Sequence, residues 1–291
     1  MKNFKDLLKY CYKGDQINFK KCNNIGLAFL KLIKEEIIKP KGPKKDFLDS
    51  FVQFARYNKF EYEQFIKRID TQIDELKKQG YRLIFKDSLK TQSRLIIGLG
   101  SYHPLETSIT LHHIFGIPYI PGTALKGVCR MSVFWKLAQE KKNINLTNFQ
   151  NQFYGNRNSE DSKTLKYQFL FGAQDFKGLL VFLDAYPNIP DDGKVFDLDI
   201  MNVHYPEYYS GDEPPTDWQN PNPIFFLTIK EGISFHFSIL FDEYKFNHEL
   251  DEETKKEIGL NNLDEEIAHI ITEALKEFGI GAKTRLGYGI F

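Results

Sequence analysis

The residues whose types and spacing could do chemistry are cations set beside glycines. Lys126 and Arg130 stand four apart and share a face of any helix that runs through them. They follow Gly116-Ile117-Pro118-Tyr119-Ile120-Pro121-Gly122-Thr123, which reads as strand exit, tight turn and helix start. Thr123 is a good N-cap, Gly122 permits a positive φ, and the free N–H groups of a helix N-terminus attract anions. A second stretch, from Gly279 to Phe291, sets Lys283, Thr284 and Arg285 among Gly279, Gly281, Gly287 and Gly289. Such a loop admits close approach of a phosphodiester chain, with the two cations supplying charge. It is not a P-loop, because a helix precedes it and no glycine directly precedes Lys283.

Acid–base chemistry has weaker support. The seven histidines are His103, His112, His113, His204, His236, His248 and His269, and no pattern ties any of them to the two cationic stretches. His112 and His113 are adjacent on an expected strand end and point to opposite faces. Asp197 and Asp199 share a strand face, yet a lone carboxylate pair reads more simply as a solvated edge than as a metal site. Cys11, Cys22 and Cys129 form no C-x-x-C pair and indicate neither zinc nor a disulfide framework. The expectation is a protein that is not an enzyme, with no cofactor and no metal; the alternatives are a metal-independent endoribonuclease and a purely structural protein without RNA contact.

The elements that must hold these residues follow from periodicity. Leu125, Val128, Val133, Phe134 and Leu137 give a helix from Thr123 to about Gln139, and a second helix is expected from Asp264 to Phe278. Strands are expected at Arg82–Phe85, Arg94–Ile97, Thr107–Leu111, Leu179–Ala185 and Asp197–Val203. Ile224–Lys230 and Ile233–Phe241 read as a hairpin about Glu231-Gly232, and a last strand should follow the glycine-rich loop. Residues 1–90 read as helical, with a basic Pro/Gly break from Lys39 to Lys45 and a helix or helix pair from Asp46 to Gln79. Gly98-Leu99-Gly100 lacks the third glycine and the helix of a dinucleotide fingerprint. The division expected is therefore a helical extension, 1–90, and an α+β domain, 91–291.

Composition limits the partners. At 291 residues, 42% hydrophobic and 15% aromatic, the chain can bury a sizeable core. No apolar run approaches the roughly 20 residues that span a bilayer, so a cytoplasmic protein without membrane contact is expected. The net charge of zero conceals an excess of nine cations in residues 1–90 and of nine anions in residues 91–291. A basic front surface for nucleic acid, or for an acidic partner, is one reading; a solvated charge distribution is the other.

Together the two stretches carry a family resemblance. Pro118-Tyr119-Ile120-Pro121-Gly122-Thr123-Ala124-Leu125-Lys126-Gly127, followed far downstream by Gly279-Ile280-Gly281-Ala282-Lys283-Thr284-Arg285-Leu286-Gly287-Tyr288-Gly289, resembles the RAMP superfamily of CRISPR proteins, whose ferredoxin-like domains bind RNA. Asp199 to Tyr205, Tyr208-Tyr209 and Pro215 to Leu227 narrow the resemblance to the sixth-subunit family of the Cmr (type III-B) RNA-guided effector complex. The resemblance implies a ferredoxin-like core with an antiparallel sheet. It also implies a non-catalytic backbone subunit in antiviral defence that contacts guide RNA toward its 3′ end, target RNA and the other RAMP subunits of a Cmr complex. Carried over by position, the RNA-binding residues are Thr123, Lys126, Arg130, Gly279, Gly281, Lys283, Thr284, Arg285 and Gly287. Thr123-Ala124 stands where many relatives have two serines. The central turn and the glycine-rich loop are expected to converge into one site.

Overall fold

The computed structural model describes residues 11–13, 16–18, 24–39, 42–141, 144–157, 161–203, 211 and 222–291. Along the chain the helices are α1 (Ile25–Leu30), α2 (Glu35–Ile38), α3 (Lys44–Phe54), α4 (Lys59–Lys78), α5 (Gly122–Glu140), α6 (Leu146–Tyr154) and α7 (Ser162–Phe171). Then come α8 (Glu243–Glu249), α9 (Glu252–Ile258) and α10 (Leu263–Glu277). The strands are β1 (Tyr12–Lys13), β2 (Gln16–Ile17), β3 (Tyr81–Lys90), β4 (Leu180–Phe182), β5 (Tyr186–Pro187), β6 (Phe196–Val203), β7 (Asn222–Ile229) and β8 (Ser234–Asp242). All strand pairs are antiparallel, so the class is α+β.

Two compact units interleave in sequence rather than dividing at residue 90. The first takes residues 1–59, 96–118 and 189–230; the second takes 60–95, 119–188 and 231–291. This division dissolves the charge asymmetry read along the chain. The acidic span 189–230 belongs with the basic N-terminal span, so the units carry 16 Lys+Arg against 15 Asp+Glu, and 23 against 24.

In the first unit, β6 and β7 form a two-stranded ribbon in register from Phe196↔Ile229 to Val203↔Asn222. Helix α3 covers it through Phe51, whose ring lies 5.4 Å from that of Phe196 and 5.3 Å from that of Phe29. Phe29 in turn stacks on His103 at 4.3 Å. The expected strand Thr107–Leu111 is not regular: Ile97 accepts from Thr110 N–H and Leu99 from Ser108 N–H, and Leu111 bridges Pro118. Gly98 and Glu106 with positive φ interrupt the pleat on either side. Gly26 and Gly116 let two backbones touch, since a Cβ on Gly116 would stand 2.3 Å from Gly26 N.

In the second unit the sheet order is β3-β8-β4, with β5 also paired to β8. Phe235, Phe237, Ile239 and Phe241 of β8 are fully buried. Against the sheet pack α5, through Leu125, Cys129, Val133 and Leu137, and α10, through Ile267, Ile271 and Ala274. Helix α4 meets the sheet through Lys86–Asp70 at 2.8 Å and an edge-on contact between Phe65 and Tyr186.

Four sequence expectations change here. Ile224–Lys230 and Ile233–Phe241 are strands but not a hairpin, because β7 pairs with β6 and β8 with β3. At the turn, Gly232 N–H and Ile233 C=O bond to Thr91, at the end of β3, and pull the chain out of hairpin register. Arg94–Ile97 is not a strand, and neither is the segment after the glycine-rich loop. There, Ile290 C=O accepts from Gln92 N–H, Arg94 C=O accepts from Gly289 N–H, and Phe291 packs its ring on Phe235 and Phe237. The span 1–90 is not one helical body either: Tyr81–Lys90 is a central strand partner and α4 lies in the second unit.

Candidate nucleic-acid interface

Helix α5 begins one residue earlier than the sequence suggests. Pro121 is its N-cap and Gly122 its first residue, so Thr123 is not the cap and lies exposed in the first turn. Gly122 has no positive φ. Its glycine is required by packing, because a Cβ would stand 2.2 Å from Phe182 C=O on β4. The first-turn N–H of Gly122 is already satisfied: it donates to Asp184 Oδ1 at 2.8 Å. That carboxylate also complements the positive end of the helix.

One turn in, Lys126 Nζ donates to Leu180 C=O of β4 at 3.2 Å. Burial, and then the charges of Arg130 and Lys177, hold the Lys126 ammonium below the usual lysine range. Arg130 donates to Phe153 C=O at 3.2 Å and lies 4.5 Å from the centre of the Tyr154 ring. Its Nε is buried without a partner in the described structure, and burial lowers its pKa. Among the described residues no carboxylate pairs with Lys126, Arg130 or Lys177. The cations are half-desolvated, mutually repulsive and lacking a counter-charge, an arrangement stabilised by an external anion.

The glycine-rich loop closes on itself. Ile280 and Gly289 bond across its neck at 2.9 Å, and Lys283 C=O starts a 3₁₀ turn, Thr284–Leu286. Lys283 sits in the left-handed region at φ 59. Gly279, Gly281, Gly287 and Gly289 all have positive φ. A Cβ on Gly289 would stand 2.0 Å from Ile280 C=O, and one on Gly279 2.9 Å from Ile290 Cδ1. These two glycines therefore serve the neck, while Gly287 has open space around it. Arg285 and Leu286 are exposed at the tip, Leu286 at 72%.

The two stretches do not converge. Lys126 bonds to β4, on one side of β8, whereas the neck of the loop bonds to residues 92–94, which continue β3 on the other side. Gln92 N–H donates to Ile290 C=O and Gly289 N–H to Arg94 C=O, so the neck of the loop is fixed to the continuation of β3, while Lys126 is fixed to β4. Two strand spacings, about 10 Å, separate β4 from β3 alone.

The remaining candidates have structural employment. His103 is locked as a neutral tautomer: Nδ1 accepts Leu105 N–H, Nε2 meets Phe29 C=O, and burial lowers its pKa. His112 Nδ1 accepts two turn N–H groups, and His269 lies 3.1 Å from Glu273. Asp197 and Asp199 each accept the following residue's N–H. Cys129 is buried in α5 with its thiol pushed up to about 12, which removes it as a nucleophile. Among the described residues no group of three His, Cys, Asp or Glu side chains could hold a metal, and no helix is long and apolar enough to cross a membrane. Cys22, His204, Tyr205, Tyr208, Tyr209 and residues 215–221 lie outside the described residues.

Sequence reasoning missed the partners. Asp184, the lone acid in an apolar strand run, caps α5, and Lys177 joins the cation cluster from the turn after α7. It also missed Ser88, His236 and Asn188, brought together across β3, β8 and the end of β5 by bonds of 2.8 and 2.5 Å to the two imidazole nitrogens.

Comparison with known proteins agrees with this architecture. The family model described as the RAMP superfamily matches residues 88–291. A curated relative from Pyrococcus furiosus, "CRISPR system Cmr subunit Cmr6", is 33% identical over 244 residues, 69% of this chain and 65% of its own length. The chain thus spans just under two thirds of that relative. A relative of the same description from Saccharolobus solfataricus is 24% identical and covered over 78% of its length by 89% of this chain. Among solved structures, a chain in "Cryo-EM structure of the Type III-B Cmr-beta bound to cognate target RNA" matches the fold with TM-score 0.57 at 21% identity, over 85% of this chain and 69% of that one. With 204 of 291 residues inside the family match, the chain belongs to the RAMP superfamily, as a Cmr6-like member.

Proposed function

We propose that this chain is a non-catalytic RNA-binding subunit of a Cmr (type III-B) effector complex in antiviral defence. It contacts guide RNA toward its 3′ end, alongside target RNA and other RAMP subunits, in the cytoplasm. Its core is read as ferredoxin-like: β3, α5, β4, β8 and α10 follow in the order strand, helix, strand, strand, helix, with residues 290–291 in place of a short last strand.

The observation that carries the RNA reading is the pairing of Lys126 and Arg130 on α5 without a carboxylate among the described residues, in a unit whose overall charge is slightly negative. Phosphate groups supply the missing anion without sequence preference. Thr123, exposed in the same turn, offers a hydroxyl. Lys283, Thr284 and Arg285, with Gly279, Gly281 and Gly287 shaping their loop, form a separate contact beyond β3. The non-catalytic reading is supported by His103, His112 and His236, whose ring nitrogens are engaged in the fold.

The test is reconstitution of the complex with guide RNA. Lys126→Gln should weaken guide binding about equally for unrelated RNA sequences, and the protein should leave RNA uncut with or without divalent metal. Unchanged affinity, or cleavage abolished by a single histidine substitution, overturns the respective half of the proposal.

A further inference from the structure

Beyond Lys126 and Arg130 the positive surface continues. Lys177, exposed in the turn after α7, faces Lys126 closely enough for its charge to lower that ammonium's pKa. The backbone of Lys177 accepts from Lys245 Nζ of α8 at 2.9 Å, tying the turn to the helix. Lys245 Nζ stands 3.9 Å from the centre of the Phe176 ring, and the Arg157 guanidinium 4.3 Å from the same centre. Five cations from α5, the 155–157 turn, the 172–178 turn and α8 are thus linked side by side within one unit. Three acids touch them among the described residues: Asp175, paired with Arg157 at 3.2 Å; Glu249, 3.9 Å from Lys245; and Asp242, which accepts the Lys245 backbone N–H at 3.0 Å.

This geometry differs from an ordinary solvated lysine face. Some exposed lysines of the unit sit in pairs with acids, as in Lys77–Asp74, Lys163–Glu140 and Lys136–Glu273, and others, such as Lys67 and Lys90, do not among the described residues; what differs here is that the cations neighbour one another. Lys177 has none among the described residues, nor have Lys126 and Arg130. Four of these cations, Lys126, Arg130, Arg157 and Lys245, are held by backbone carbonyls and aromatic rings, with Lys177 exposed among them and the touching acids confined to the 172–178 turn and to α8 and its cap; such a row suits a string of charges and not a single ion. A single-stranded polynucleotide has that charge pattern.

We propose that Lys126, Arg130, Lys177 and Lys245 form a track for the backbone of single-stranded RNA, leading from α5 across the 172–178 turn to α8 and away from the glycine-rich loop, with Arg157 holding that turn through Phe176 and Asp175. The track rests on the RNA-binding reading above and adds its route: the strand leaves over the β4 side of the sheet. Lys177 is its most informative member, since among the described residues its exposed side chain makes no hydrogen bond or ion pair.

The experiment uses the full chain with fluorescently labelled oligo(U) RNA, binding being followed by anisotropy over a salt series. Lys177→Glu and Lys245→Gln are compared with Lys90→Glu, an exposed lysine at the end of β3. Both track variants should weaken binding severalfold and flatten the salt dependence by about 0.7 in log–log slope for each lost phosphate contact, the figure for single strands. Lys90→Glu should match the parent. Thermal melting checks folding, and Lys177→Ala, which cannot introduce repulsion, should show the same loss of slope. If Lys177→Ala and Lys245→Gln bind like the parent while Lys126→Gln binds weakly, the track ends at α5 and the proposal fails with the RNA reading intact. If they bind RNA normally but no longer retain an acidic partner subunit on co-purification, the surface is a protein interface and the proposal is equally overturned. A parent chain that binds no RNA, alone or assembled, defeats both.

Discussion

Asp184 Oδ1 accepts the Gly122 backbone N–H at 2.8 Å, joining the loop after β4 to the first turn of α5. The bond places a fixed carboxylate at the helix start, where an incoming phosphate would otherwise be drawn, so anion recognition shifts one turn along, to Lys126 and Arg130. Asp184→Ala should lower stability by about 1 kcal/mol, the usual effect of losing an N-terminal cap. Chemical denaturation would measure it, and an unchanged midpoint would show that the bond does not hold the helix.

Lys126 should separate stability from function. Its charge is desolvated and repelled by Arg130 and Lys177, so the ammonium is an unfavourable feature of the isolated fold. Lys126→Met keeps the aliphatic stem and removes the charge. Its melting temperature should equal or exceed the parent's, while RNA affinity falls and its salt dependence flattens. A variant that melts well below the parent would mean that the bond to Leu180 is structural.

The glycine-rich loop can be dissected by two substitutions that differ in space but not in backbone hand. Gly287 and Gly289 both have positive φ, yet only at Gly289 would a Cβ collide with backbone, at Ile280 C=O. Gly287→Ala should cost about 1 kcal/mol through backbone strain alone, and Gly289→Ala clearly more. Equal losses in thermal melts would refute the packing role assigned to the neck.

Acid should destabilise the protein through one buried imidazole, His103, and one half-buried imidazole, His236. Burial lowers the pKa of His103 and His236 in the folded state, so below the unfolded value, about 6.5, the unfolded chain binds protons that the folded chain refuses. Their contribution is present above that pH and is lost as pH falls through it. Melting curves at pH 7.5 and pH 5.5 should show the drop, and His236→Gln should reduce it; a drop that His236→Gln leaves whole assigns the effect to other groups.

Much of this was legible in the sequence, for identifiable reasons. Helical periodicity placed α5 and α10 to within a residue or two, because both bury one continuous stripe against the sheet. The cationic pair four apart and the glycine loop were equally visible. What escaped was pairing at a distance. Nothing near Glu231-Gly232 reveals that Thr91 competes for the turn and sends β7 and β8 to different sheets. Nothing local to Lys283 shows that its loop ties to Arg94 beyond β3, while Lys126 ties to β4, so one expected site became two. Asp184 and Lys177 lack any motif and acquire meaning only through the chain they meet in space.

The central claim, that α5 presents its unpaired cations to RNA, is tested most directly by crosslinking. The reconstituted complex, carrying photoreactive guide RNA, would be irradiated, digested and sequenced by mass spectrometry. The account predicts adducts on the peptide spanning Thr123 to Arg130, lost in Lys126→Met without loss of assembly. Guide RNA that crosslinks to neighbouring subunits but never to this peptide would contradict it.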